Sequence, residues 1–123
     1  MRPKKEELCG GVLRRSSGFV QTPDYPSPYP NKAKCIWKIK SKYGKKVILQ
    51  FDSFDLESQT SCKYDFIDIQ EKNSPSSQIK PVGRFCGDKR PPVITTTANE
   101  LLITFQSDGT VQKSGFRAKY YAS

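Results

Sequence analysis

The sequence contains no histidine among its 123 residues. Without an imidazole it cannot form a Ser-His-Asp or Cys-His catalytic arrangement, nor a histidine-based zinc hydrolase motif. It also lacks a C-x-x-C pair, which disfavours a structural zinc site. No glycine-rich loop of the phosphate-binding type is present either. We therefore expect a protein that is not an enzyme.

Long apolar runs are absent as well. No stretch approaches the roughly 20 apolar residues of a membrane span, and the mean hydropathy is −0.66. We expect no transmembrane segment in this chain. Its length lies near the common size of one domain, about 100–150 residues. Residues 1–8 are charged and lack the apolar stretch of a signal peptide, so we interpret them as an N-terminal extension.

The four cysteines are Cys9, Cys35, Cys62 and Cys86. Their wide spacing favours two disulfides and an extracellular, oxidising compartment over four buried thiols in a cytosolic protein. Three pairings are open on sequence alone. Sequential pairing would close two loops of similar length, and each closure would stabilise the fold by about 3 kcal/mol in the chain-entropy model.

Short segments with alternating apolar residues dominate the rest of the chain. One example is Cys35, Trp37 and Ile39, which alternate with Lys38 and Lys40. The same period of two recurs around residues 47–51, 67–69, 101–105 and 116–120, whereas no window sustains a helical period. Turn residues separate these segments, and the polar stretch Glu71–Pro81 is expected to be a surface loop. The pattern predicts an all-β, two-sheet antiparallel sandwich.

The acidic residues are concentrated in one part of this basic chain. The net charge of the whole chain is +9, yet residues 52–71 contain six acids and one lysine, for a net charge of −5. Carboxylates held close together repel unless a cation or a basic partner compensates them. This segment is therefore the strongest indication of a binding function.

The sequence resembles a CUB domain. The matching motifs are Cys9-Gly10-Gly11, Thr22-Pro23-Asp24-Tyr25-Pro26 with Tyr29-Pro30, Cys35-Ile36-Trp37, Phe54-Asp55-Leu56-Glu57, Cys62-Lys63-Tyr64-Asp65, Gly83-Arg84-Phe85-Cys86-Gly87, Ser107-Asp108, and Gly115-Phe116 leading to Tyr120. The resemblance implies a single domain over residues 9–121. It also implies a two-sheet sandwich with disulfides Cys9–Cys35 and Cys62–Cys86.

The resemblance further implies one Ca²⁺ site. Many CUB domains bind calcium through a Glu, an Asp eight residues later and an Asp in a distant loop, which here correspond to Glu57, Asp65 and Asp108. Backbone oxygens of Thr110 and Val111 would complete the ligand set, although Val111 departs from relatives that carry Asn near this position. Tyr29 matches a tyrosine that hydrogen-bonds the site. The alternative is a solvated cluster of acids without a metal.

A second candidate surface is rich in lysine. Seven lysines fall within residues 32–46, and Lys38, Lys40 and Lys42 share strand parity, so we expect them on one face. With Lys34 they form a candidate surface for glycosaminoglycan. Nucleic acid is a less suitable partner, because no nucleic-acid-binding module is recognisable. The alternative is a lysine-decorated strand that resists edge-to-edge pairing.

The favoured interpretation is an extracellular, non-catalytic protein-binding module of a larger secreted or membrane-anchored protein. By resemblance, Glu57, Asp65, Asp108 and Tyr29 would contact a Lys or Arg of the partner protein. The alternative function is glycosaminoglycan or matrix binding through the lysine face at residues 32–46.

Overall fold

A computed structural model describes residues 9–42, 44–59, 61–73, 78–109 and 111–123. It contains nine strands in this part of the chain and no helix there. The charged extension at residues 1–8 lies outside the described residues. The strands are β1 (Gly11–Leu13), β2 (Ser17–Gln21), β3 (Lys34–Lys40), β4 (Val47–Asp55), β5 (Phe66–Lys72), β6 (Ile79–Phe85), β7 (Ile94–Thr95), β8 (Glu100–Gln106) and β9 (Gly115–Ala122).

The strands form two sheets. The five-stranded sheet has the order β1-β3-β8-β5-β6, and the four-stranded sheet has the order β2-β9-β4-β7. All pairs are antiparallel except β1 and β3, which run parallel with Gly11 opposite Trp37. The prediction of an all-β two-sheet sandwich is confirmed, and this one parallel pair is the detail that alternation along a strand does not reveal.

The core lies between the two sheets. In β3 the side chains of Cys35, Trp37 and Ile39 are buried while those between them face solvent, as the alternation predicts. Phe116 of β9 is fully buried and packs edge-on against Trp37, with ring centroids 5.8 Å apart. Further rings around it are Phe51, Phe54 and Phe105. Phe54 and Phe105 are the penultimate residues of β4 and β8, so these rings pack toward the end of the sandwich where those two strands end.

Two disulfides connect segments that are distant in sequence. Cys9 pairs with Cys35, which ties the start of β1 to β3, and Cys62 pairs with Cys86, which ties the segment before β5 to the one after β6. The sequential pairing is confirmed. The second bridge holds the chain just before Asp65, so it helps to position the site described below.

The prediction of a surface loop over Glu71–Pro81 is wrong at both ends of that range. Strand β5 continues to Lys72 and β6 begins at Ile79, so part of the supposed loop is paired strand. Pro81 is tolerated because β6 is an edge strand, where a missing N–H need not break a ladder. A register shift between Ile69 and Gln70 leaves Val82 without a direct partner, which is the signature of a β-bulge.

Candidate metal centre

Three acidic side chains converge at one end of the sandwich. Glu57 follows β4, Asp65 directly precedes β5 and Asp108 follows β8. One carboxylate oxygen from each lies within 4.8 Å of the others. The register explains the meeting, because Gln106 at the end of β8 pairs with Phe66 at the start of β5. We call these three residues the acidic end.

Asp65 is the fixed centre of this group. Its side chain is fully buried, with 0% exposure. Its Oδ2 accepts a hydrogen bond from the hydroxyl of Tyr29 at 2.5 Å, and its Oδ1 accepts one from the backbone N–H of Asp108 at 2.8 Å. Both bonds are charge-assisted, and such bonds are shorter and stronger than neutral ones. The carboxylate therefore has one orientation, with remaining lone pairs available to a cation.

Tyr29 connects the acids to the core. Its ring is buried and packs edge-on against Phe105, with centroids 5.0 Å apart. Its hydroxyl oxygen accepts a hydrogen bond from the backbone N–H of Glu57 at 3.2 Å while donating to Asp65. Burial and the neighbouring Asp65 raise the pKa of Tyr29, so the phenol stays protonated and remains a donor. One side chain thus fixes two of the three acids.

The electrostatics of the acidic end are unfavourable in the absence of a cation. Burial raises the pKa of Glu57, and repulsion from Asp65 and Asp108 raises it further, with Lys113 opposing. Burial is also the main cause of the raised pKa of Asp65, although its hydrogen bonds from Tyr29 and Asp108 oppose it. Lys113 lies in the connection between β8 and β9. No motif spacing relates it to the three acids, so sequence reasoning missed this positive charge within the domain.

The arrangement fits a hard dication. Calcium binds oxygen ligands at about 2.3–2.6 Å, so ligands on opposite sides of the ion lie about 4.6–5.2 Å apart. The 4.8 Å limit for the three carboxylate oxygens is within that range. In addition, Oε1 of Glu57 is buried and has no hydrogen-bond partner among the described residues. A buried oxygen without a partner is costly, and a cation would satisfy it.

The other predicted site residues divide into three groups. Thr110 lies outside the described residues. Val111 is 43% exposed, and the contribution of its backbone oxygen stays a prediction. Tyr29 and Asp65 were predicted to contact a partner, but they are 1% and 0% exposed and present almost no surface. Glu57 and Asp108 are partly exposed. They are the acids at this end that a partner could reach.

The remaining acids of the segment have other roles. Asp68 accepts two hydrogen bonds from the guanidinium of Arg84, at 2.7 and 2.9 Å. Glu71 was expected at the start of a surface loop, and this expectation is wrong. It is 7% exposed and accepts a 2.8 Å hydrogen bond from the backbone N–H of Thr97. The donor comes from a segment 26 residues away, which explains why the local pattern could not reveal it.

The predicted lysine face separates into two regions. Lys34 and Lys38 project from the exposed face of β3. Strand β3 ends at Lys40, so strand parity does not extend to Lys42 and gives no ground for placing Lys42 on this face. Lys42 instead lines a cavity together with Arg14 and Arg15.

No helix in the described part of the chain is long and apolar enough to cross a membrane.

Comparison with known proteins places this architecture in a family. Residues 9–120 match the family model described as the CUB domain. Bone morphogenetic protein 1 of Xenopus laevis is 44% identical over 117 residues, which cover 94% of this chain and 16% of that protein. The chain spans only 10% to 27% of the lengths of such curated relatives.

Solved structures agree with the sequence relatives. The CUB1-EGF-CUB2 domain of human MASP-1/3 superposes with a TM-score of 0.82 at 37% identity, covering 94% of this chain and 42% of that one. The MASP-1 CUB2 domain bound to Ca²⁺ superposes with a TM-score of 0.80 at 35% identity, covering 92% and 98% of the two chains. The disulfides and these relatives make this an extracellular module of the protein-interaction type. The chain belongs to the CUB domain family.

Proposed function

We propose that this domain binds one calcium ion at its acidic end and, in that state, binds a basic side chain of an extracellular protein. Glu57, Asp65 and Asp108 would hold the ion, with backbone oxygens of Thr110 and Val111 as further ligands. The domain would comprise residues 9–121 of a larger secreted or membrane-anchored protein, with residues 1–8 as an extension. It would act by binding and not by catalysis.

The observation that carries the proposal is the convergence of three carboxylates around a buried, unpartnered Glu57 oxygen. A metal-free cluster of this kind is disfavoured by burial and also by repulsion between the acids, which together raise the pKa values of Glu57 and Asp65. The Ca²⁺-bound MASP-1 CUB2 domain, a relative at 35% identity, gives independent support. Bound calcium would supply two positive charges and rigid coordination to the loops.

The charge balance favours a basic partner. Three carboxylates and one dication leave a net charge of −1, which attracts a lysine or arginine and which the nearby Lys113 partly offsets. Glu57 and Asp108 are partly exposed and would accept its hydrogen bonds. Asp65 and Tyr29 would act by holding the other two in place, because they are buried. Loss of calcium would release the loops and weaken partner binding.

A capped hexapeptide with one central lysine tests this proposal. In calcium, nuclear magnetic resonance should show amide shifts near Glu57 and Asp108, with millimolar affinity. Chelator should abolish them, and Asp108→Asn should weaken binding at least fivefold. The control is Asp52→Asn, which removes an exposed acid within β4. Equal binding of the same peptide with an acetylated lysine would contradict the proposal.

The alternative function, glycosaminoglycan binding through the lysine face at residues 32–46, is a separate proposal with less support. Lys34 and Lys38 are exposed on β3, but Ile36 between them is 42% exposed, and the adjacent strand presents Val12 at 50% exposure. Apolar side chains therefore dilute the charge of this face.

A further inference from the structure

A second charged feature lies at the end of the sandwich opposite the acidic end. Arg14 and Arg15 of the β1–β2 turn, and Lys42 and Lys45 of the β3–β4 connection, line a cavity of about 280 Å³. Its other lining residues include Ala122, near the end of β9. We call these four cationic residues and the space between them the basic cavity. Its cations come from two separate segments, so no single motif marks it.

None of the described residues that line the basic cavity is acidic. The register places one acid, Glu100, opposite Lys40 at the end of β3. That carboxylate lies 3.7 Å from the ammonium group of Lys72, so it already has a cationic neighbour on the other side. Among the described residues, no acidic side chain forms an ion pair with the four cations of the cavity.

The backbone beneath these side chains is held in place. The backbone N–H of Ala122 donates to the carbonyl of Ser16 at 2.8 Å, and that of Lys45 donates to Lys42 at 2.9 Å. Ser41 donates through its N–H and its hydroxyl to the carbonyl of Asn99, each at 2.9 Å. The backbones of Lys46 and Ser123 also bond each other in both directions, so the end of β9 connects the β1–β2 turn to the β3–β4 connection. The cationic side chains thus project from a fixed frame, which reduces the entropy lost on binding.

The size and chemistry of the cavity indicate the ligand class. A water molecule occupies about 30 Å³ in the liquid, whereas small-molecule sites start near 300 Å³. The basic cavity, at about 280 Å³, therefore suits a sugar unit with its substituents better than a lone ion. Arginine presents a planar fork of donors that matches a tetrahedral oxyanion bidentately. The domain is extracellular, where sulfated polysaccharides are the abundant carriers of that group.

We propose that the basic cavity binds the sulfate groups of a sulfated polysaccharide. Arg14 and Arg15 would hold one sulfate, and Lys42 and Lys45 would contact the neighbouring charges of the chain. This site is distinct from the lysine face on β3 and does not depend on calcium. Strand β4, nine residues long, spans about 27 Å between the two ends, well beyond the Debye length of about 8 Å at physiological salt.

A size-defined, heparin-derived octasaccharide is the test ligand. Its affinity for the full chain is measured by calorimetry at several salt concentrations, in calcium and in chelator. Arg14→Ser with Arg15→Ser should weaken binding at least tenfold and lower the salt dependence by about one unit of log–log slope per cation removed. Lys42→Ser with Lys45→Ser should also weaken octasaccharide binding and lower its salt dependence. Chelator should change the affinity less than twofold.

The matched control is Lys34→Ser with Lys38→Ser, which removes the same charge from the β3 face and should weaken binding less than threefold. An equal effect of both double variants would overturn the proposal, because it would indicate unspecific attraction. Equal binding of a desulfated octasaccharide or of an oligoglutamate of matched charge would also overturn it. Displacement by inorganic sulfate, supplied at an equal concentration of sulfate groups, would overturn the assignment to a polymer.

Discussion

The two ends of this sandwich hold charge in opposite ways. At the acidic end, short side chains on fixed strand ends bring three carboxylate oxygens within 4.8 Å of one another, and the central one is buried. At the basic end, four long side chains surround a cavity of about 280 Å³. The acids cannot move far apart to relieve their repulsion, because Asp65 is buried and held by hydrogen bonds, whereas long, exposed cations can.

This difference predicts different ligands. The carboxylates need a small cation that fits between them, and their oxygens are the ligands that calcium prefers. The guanidinium and ammonium groups need a larger anion that several side chains can reach. Strand β4, nine residues long, separates the two ends by about 27 Å. We therefore expect substitutions at one end to leave binding at the other end unchanged.

The largest expected effect is the loss of calcium-dependent stability in Asp65→Asn. Calcium at a hundredfold excess over its Kd should stabilise the wild-type domain by about 2.7 kcal/mol. This corresponds to a Tm increase on the order of 10 °C for a domain of this size. The variant should lose this increase, because an amide carries no charge to balance the ion. Thermal unfolding of both proteins in calcium and in chelator measures the calcium-induced increase in Tm.

Two controls accompany this experiment. Asp68→Asn removes an acid that pairs with Arg84, and Arg14→Ser with Arg15→Ser alters the basic end. Both should keep the full calcium-induced increase in Tm. If Asp65→Asn keeps it too, calcium binds elsewhere or the wild-type effect is unspecific.

A change of pH is expected to have a smaller effect on the stability of the domain. The pKa values of Glu57 and Asp65 are raised in the folded protein, so the metal-free folded state binds protons more tightly than the unfolded chain does. Lowering the pH from 7.5 toward about 5 should therefore increase the stability that these groups contribute without metal. With calcium the sign reverses, because protons compete with the ion for the same oxygens.

The difference between wild type and Asp65→Asn isolates this effect from other carboxyls. Urea unfolding at both pH values, with and without calcium, measures the four free energies of unfolding. A calcium stabilisation that does not decrease at the lower pH would contradict the assignment of Glu57 and Asp65 to the ion.

The sequence predicted the parts of this molecule that depend on local periodicity or on a family motif. Alternation in β3 correctly indicated the burial of Trp37 and Ile39, and the motif spacing led to Glu57, Asp65 and Asp108, which the fold brings together. The burial of Glu71 was missed, since its donor is the backbone of Thr97, from another part of the chain.

The basic cavity was missed for the same reason. Arg14 and Lys42 are 28 positions apart, and only the ends of β1 and β3 bring them to one place. The parity of Lys38 and Lys40 suggested a longer lysine face, but parity holds only while the strand continues. Contacts that arise where different strands end are set by register, which a single sequence does not display.

The most direct test of the central claim is calcium titration by isothermal calorimetry of the metal-free domain at pH 7.5. The account predicts one site in the wild-type domain and in Arg14→Ser with Arg15→Ser, with an affinity that falls at lower pH. It predicts no measurable site in Asp65→Asn. Absence of heat in a folded wild-type domain, or an unchanged isotherm in Asp65→Asn, would contradict it.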